Sequence, residues 1–175
     1  MTVDLHIRPD DLRDARVAAF LDEHLADMRR ISPPESVHAL DLTALRGPDV
    51  CFWSAWAGGR DGPALVGTAA LKRLDSAHAE LKSMRTAVAW RGQGVATRLL
   101  GHVLAEARAA GYQRLSLETG SQPFFAPARV LYARRGFQDC GPFGAYQPDP
   151  NSCYMCLSLS PELAEQASTI PASSC

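Results

Sequence analysis

Arg91-Gly92-Gln93-Gly94-Val95-Ala96 lies between an apolar-rich run, Glu80 to Val88, and a long amphipathic run that ends at Gly111. A strand, a glycine turn and a helix start, in that order, build a backbone site for an anion. The first turn of a helix carries N–H groups with no internal partner. The helix dipole adds a partial positive charge there. Glycines remove side chains, so a phosphate can come close to the main chain. The stretch from Gly92 to Thr97 is therefore expected to hold a phosphorylated ligand.

Three glycine motifs compete for it. A Walker A loop needs Lys and then Ser or Thr after its last glycine, and neither Gly92 nor Gly94 is followed by Lys. A dinucleotide fingerprint needs a third Gly or Ala where this chain has Thr97. The pattern Arg/Gln-x-x-Gly-x-Gly/Ala is met at each position by Arg91, Gly94 and Ala96. Further along stands Ala128-Arg129-Val130-Leu131-Tyr132-Ala133-Arg134-Arg135-Gly136-Phe137, which fits Ala-x-x-Leu-Tyr-x-x-x-Gly-Phe. In this order and spacing the two motifs resemble the acyl-coenzyme A site of the GNAT superfamily of N-acetyltransferases. The resemblance covers Val50 to Leu159, and Val3 to Leu45 fits that family's N-terminal strand and helix pair.

The resemblance implies a mixed α/β fold with a central, mostly antiparallel twisted sheet of about six to seven strands and about four flanking helices. It implies acetyl-coenzyme A as donor and no metal. Main-chain groups of Met84, Arg85 and Thr86 would bond the pantetheine arm, and Arg91, Gly92, Gln93, Gly94, Val95, Ala96 and Thr97 would hold the pyrophosphate. Arg98 and Arg129 are candidates for the 3′-phosphate. Tyr132 would be the general acid at the departing thiolate, since a phenol carries a donor proton at neutral pH. Two positions depart from the pattern. Thr86 and Val88 stand where many members have Val-x-Pro, and Phe125 stands where many have an Asn.

The implied reaction moves an acetyl group to a primary amine of a small or amino-acid-like molecule by direct attack. A protein lysine is the alternative acceptor. An acyl-coenzyme A sensor without turnover and a nucleotide-binding regulatory module are the rival classes. An alkyl ammonium of pKa ~10.4 is only about 0.1% neutral near pH 7.4, so a base must take its proton. Glu80 is the first candidate, because some lysine-acetylating members carry a glutamate at the matching place. Glu118, at the end of the next strand, is the second; burial there could raise its pKa toward useful values. His78 is the third. In this fold the acceptor pocket is usually built from the segments that here are Met28 to His38 and Gly141 to Asn151, with Glu35, Asp41 and Asp149 as acids able to attract an amine. Homodimers are frequent in the family.

Composition agrees with a single domain over 1–159, followed by a small, polar segment, 160–175, expected to fray. With 46% apolar and 21% charged residues and a net charge of −1, nothing favours nucleic acid or an anionic membrane surface. No run reaches the ~18–20 apolar residues of a membrane span, and Met1 to Asp10 lacks the apolar core of a signal peptide, so a cytoplasmic chain is expected. The five cysteines are irregularly spaced. Cys153 and Cys156 lie three apart on an expected strand, Ser152 to Leu159, and so point to opposite faces rather than converging on a metal.

The remaining elements follow from periodicity. Val3 to Arg8, Cys51 to Ala57, Leu65 to Leu71, Arg114 to Glu118 and Phe137 to Cys140 read as strands. Val17, Phe20, Leu21, Leu25 and Met28 form a helical stripe, with His24 on the same face as a packed histidine. Ser32-Pro33-Pro34-Glu35 has capping-box spacing and predicts a second helix to about Leu45. Val95, Leu99, Leu100, Val103, Leu104 and Ala107 form the stripe of the helix after the glycine turn.

Overall fold

A computed structural model describes residues 4–58 and 62–160. The expected fraying tail lies outside them except for Ser160, as does Val3. Seven strands form one sheet: β1 (Leu5–Pro9), β2 (Val50–Ala57), β3 (Ala64–Arg73), β4 (His78–Thr86), β5 (Arg114–Gly120), β6 (Gln138–Cys140) and β7 (Ser152–Ser158). Their order is β1-β2-β3-β4-β5-β7-β6. All neighbours pair antiparallel except β4 and β5. Four helices flank it: α1 (Ala15–Ile31), α2 (Leu42–Leu45), α3 (Val95–Ala109) and α4 (Ala126–Arg134).

Alternation along the strands sorts side chains to the two faces. On β2, Trp53, Ala55 and Ala57 join the core that contains the α3 stripe. Phe52 and Trp56 join a second cluster with Val17, Leu21 and Leu45, under α1 and α2. All six α3 stripe residues are buried, and burying a leucine such as Leu99 contributes about 2 kcal/mol.

The expected second helix does not form as one element. A 3-10 turn covers Pro34–Ser36, and only Leu42–Leu45 is α-helical. Residues before a proline are pushed out of the α region; Ser32 and Pro33, each preceding a proline, have ψ of 146° and 147°. Ser32 thus caps the end of α1, donating its N–H to the Met28 carbonyl, instead of starting a helix. Asp41 is the true N-cap, accepting from the Ala44 N–H at 2.8 Å.

Two irregularities open the middle of the sheet. Thr68 pairs with Arg85 but Ala70 pairs with Lys82, so β4 carries one extra residue in that interval. Such a bulge leaves main-chain groups out of the ladder and re-aims side chains. Ser83 sits there at φ 51°, and the buried Thr68 hydroxyl donates to its carbonyl at 2.9 Å. Glu80 and Lys82 share a face by ordinary alternation, but past the bulge Met84 packs toward the α3 core while Arg85 reaches across to α1. The second irregularity is that the β4–β5 pairing stops at Leu81 and Leu117, although both strands continue.

Candidate active site

A cleft of about 550 Å³ lies between the end of β4, the glycine turn and α4. Of the residues expected at the pantetheine arm and the pyrophosphate, all but Gln93 line it; Arg98 and Arg129, the 3′-phosphate candidates, do not. Gly92 and Gly94 have φ of 74° and 81°, a left-handed conformation that glycine adopts without strain. Gly94 is the N-cap of α3 and supplies no side-chain cap, so the first-turn N–H groups stay open to an anion. Arg91 is exposed at the cleft wall. Gln93 turns away, its side-chain amide donating to the Ala89 carbonyl at 3.0 Å. The Arg85 guanidinium also faces elsewhere, bonding Asp27 of α1 at 2.9 Å over the Phe20 ring. Arg98 and Arg129 are tied to main-chain carbonyls, of Leu5 and of Gly120 and Gln122 respectively.

The cleft meets a smaller cavity of about 120 Å³ where β4 and β5 part. Tyr132, Met84, His24 and Phe125 line both spaces. Tyr132 is 5% exposed, and among the described residues its hydroxyl has no hydrogen-bond partner. Burial pushes the phenol well above its usual pKa, so it keeps its proton at neutral pH. Glu118 faces this junction. Desolvation raises its carboxyl above the usual range, opposed by the Ser152 hydroxyl, which donates to it at 2.7 Å. Ser83 adds a buried hydroxyl with no partner, which is the expected condition of a group that meets a ligand. Phe125 fills the wall where an Asn was expected. It fits because Gly120 has no side chain; a Cβ there would lie 2.1 Å from the Phe125 ring.

Beyond the junction lies a chamber of about 750 Å³, which shares Ser36, His38 and Lys82 with it. Glu80 is on this side and does not line the junction. It is 4% exposed, accepting from Lys82 Nζ at 3.0 Å and from the Tyr146 hydroxyl at 2.5 Å. Lys82 Nζ also donates to the Tyr146 hydroxyl at 2.9 Å. Burial and the Glu80 carboxylate raise the Tyr146 phenol. Tyr146 belongs to the β6–β7 loop, and its ring meets His38 edge-on at 5.0 Å; both residues line the chamber. Glu35 and Asp149 line it, as expected; Asp41, the α2 cap, does not. His78 is occupied by the Ser116 hydroxyl at 2.7 Å and lines none of the three spaces. Among the described residues no group of three or more His, Cys, Asp or Glu could hold a metal ion, and no helix is long and apolar enough to cross a membrane.

Lys82, Tyr146 and His24 are the site residues that sequence reasoning missed. His24 was legible only as part of an apolar helix face. Burial, and then the Arg85 cation, hold its pKa down to about 4. A depressed folded pKa stabilises above the unfolded value of 6.5 and loses that contribution as pH falls toward 4. The shift corresponds to about 3 kcal/mol at ~1.36 kcal/mol per pKa unit. Denaturant melts of the wild type should therefore weaken between those two pH values, and His24→Gln should flatten that slope. An unchanged slope would remove His24 as its source.

The sequence model of the Acetyltransferase (GNAT) family matches residues 12–137. The uncharacterized N-acetyltransferase YsnE of Bacillus subtilis (strain 168) is 51% identical over 155 residues, covering 89% of this chain and 100% of its own. An IAA acetyltransferase of Azospirillum brasilense is 40% identical over 151 residues, covering 85% of this chain and 93% of its own. Among solved structures, a Klebsiella pneumoniae protein described as an acyl-CoA N-acyltransferase superposes with a TM-score of 0.74 at 28% identity, covering 90% of this chain and 99% of its own.

Proposed function

The chain belongs to the GNAT family of acetyltransferases, and on that premise we propose that it moves an acetyl group from acetyl-coenzyme A directly to the primary amine of a small molecule. The observation that carries this is the succession of three connected spaces. A phosphate-ready cleft leads to a junction holding a free phenol and a carboxylate, and a chamber lined by charged side chains follows.

Acetyl-coenzyme A supplies the acetyl group as a thioester. The glycine turn and Arg91 hold its phosphates, and the main chain at the β4 bulge meets the arm that carries the acetyl group. Main-chain groups freed by the bulge, with the Ser83 hydroxyl, offset negative charge developing on the carbonyl oxygen. Glu118 takes one proton from the ammonium so that the neutral amine can form the N–C bond; Tyr132 delivers its proton to sulfur as the C–S bond breaks, and the second proton lost by the nitrogen returns to the Tyr132 phenolate. Glu118 replaces Glu80 as the favoured base, because the Glu80 carboxylate is already engaged by Lys82 and Tyr146.

Free-thiol release from acetyl-coenzyme A, measured against amines, amino acids and a lysine peptide beside a coenzyme-binding titration, tests this. Release with a small amine is the expected result. Release with the peptide alone would move the acceptor to protein lysine. Binding without release across the panel would favour a sensor, and absence of binding would overturn the donor site.

A further inference from the structure

The charges around the junction are arranged for more than a plain amine. Lys82 and Glu118 each stand one residue past the last β4–β5 pair, Leu81 and Leu117. Glu80 and Ser116 pair two residues before them, so by alternation Lys82 and Glu118 share one face on neighbouring strands. Both line the junction. An ammonium has three donor hydrogens, and Glu80 and Tyr146 take two of those on Lys82. On β3, Lys72 pairs across the ladder with Glu80 and lines the chamber. It has no hydrogen bond or ion pair among the described residues. The Glu80–Lys82 pair is neutral overall, and Lys72 is the cation of this wall that no described carboxylate pairs with. Asp149 and Glu35 also line the chamber as anions, but Asp149 is held by Ser36 and the Asn151 N–H and Glu35 is exposed, where water screens it.

We propose that the acceptor is an α-amino acid whose amine sits beside Glu118 and whose carboxylate is held by Lys82 and Lys72. This rests on the transferase reading above. An α-amino acid carries both charges on one carbon, which suits opposite charges on adjacent strands. A singly charged carboxylate suits this wall better than a doubly charged phosphate, because Glu35, Glu80 and Asp149 also line the chamber and like charges repel. The chamber beyond receives the side chain, and its 750 Å³ leaves room for a large one.

The experiment compares, for whichever amino acids release thiol, the free acid, its carboxamide and the decarboxylated amine, on the wild type, Lys72→Gln and Lys72→Arg. Lys72 is chosen because replacing Lys82 would strand Glu80. The free acid should show a KM roughly tenfold or more below those of its two analogues. Lys72→Gln should raise the KM of the acid by about that factor, leave the amine within about twofold, and be rescued by Arg. Analogues accepted as well as the acid would overturn the proposal while leaving the transferase reading intact. A Lys72→Gln loss shared equally by all three acceptors would also overturn it. Coenzyme binding with no acceptor of any kind would remove both readings.

Discussion

Tyr132→Phe should lower turnover at least about tenfold, within the range for loss of a general acid, while coenzyme affinity stays within about twofold. The environment of the hydroxyl sets this expectation. Tyr132 is a buried residue that lines both the cleft and the junction, and its hydroxyl bonds no described residue. Removing it therefore breaks no internal hydrogen bond, and the ring still packs near Phe137, at 5.8 Å between centroids. Folding stability should be nearly unchanged, since no hydrogen bond to a described residue is lost. On the proposed reading affinity persists, because the glycine turn would hold the phosphates and β4 the arm. The expected loss is confined to the step in which sulfur departs. Turnover with a thioester of a more acidic thiol should fall less, because a better leaving group needs less help from an acid. Equal turnover for the variant and the wild type would remove Tyr132 from the chemistry.

The donor half of the site was legible because its signals are local. The glycine turn, the α3 stripe and the motif around Tyr132 each fit within one turn or one helix, where spacing alone defines the geometry. The acceptor half depends on contacts between distant parts of the chain. Tyr146 reaches Glu80 across 66 positions, and no pattern within the Gly141 to Asn151 loop announces that partner. The bulge was hidden for a different reason. Strict alternation would place Met84 on the face of Glu80 and Lys82, and one extra residue at Ser83 reverses it without changing composition. The second helix does not form, because Pro33 and Pro34 force the preceding backbone into an extended form in spite of the capping-box spacing.

Two glutamates compete for the role of base, and their variants should move stability in opposite directions. Glu118→Gln keeps the shape and an oxygen able to accept from Ser152, so the fold should persist. Turnover should fall by about 10²-fold or more, the usual range for a general base, and the acidic limb of the pH–rate profile should disappear. In the wild type that limb should lie above the ordinary carboxylate pKa of 4.5, because burial raises Glu118. A raised folded pKa stabilises below the unfolded value and loses that contribution as pH rises through the folded one. At pH 7 the ionised Glu118 therefore costs stability, and Glu118→Gln should melt higher than the wild type, with the gap closing toward pH 4. Glu80→Gln removes one partner of a pair whose side chains are 9% and 5% exposed. Stranding the Lys82 charge in that way costs about 3–5 kcal/mol, so this variant should melt lower while retaining the acidic limb. If the limb vanished in Glu80→Gln and survived in Glu118→Gln, the base would be Glu80, and the Lys82–Tyr146 contacts would have to open during the reaction.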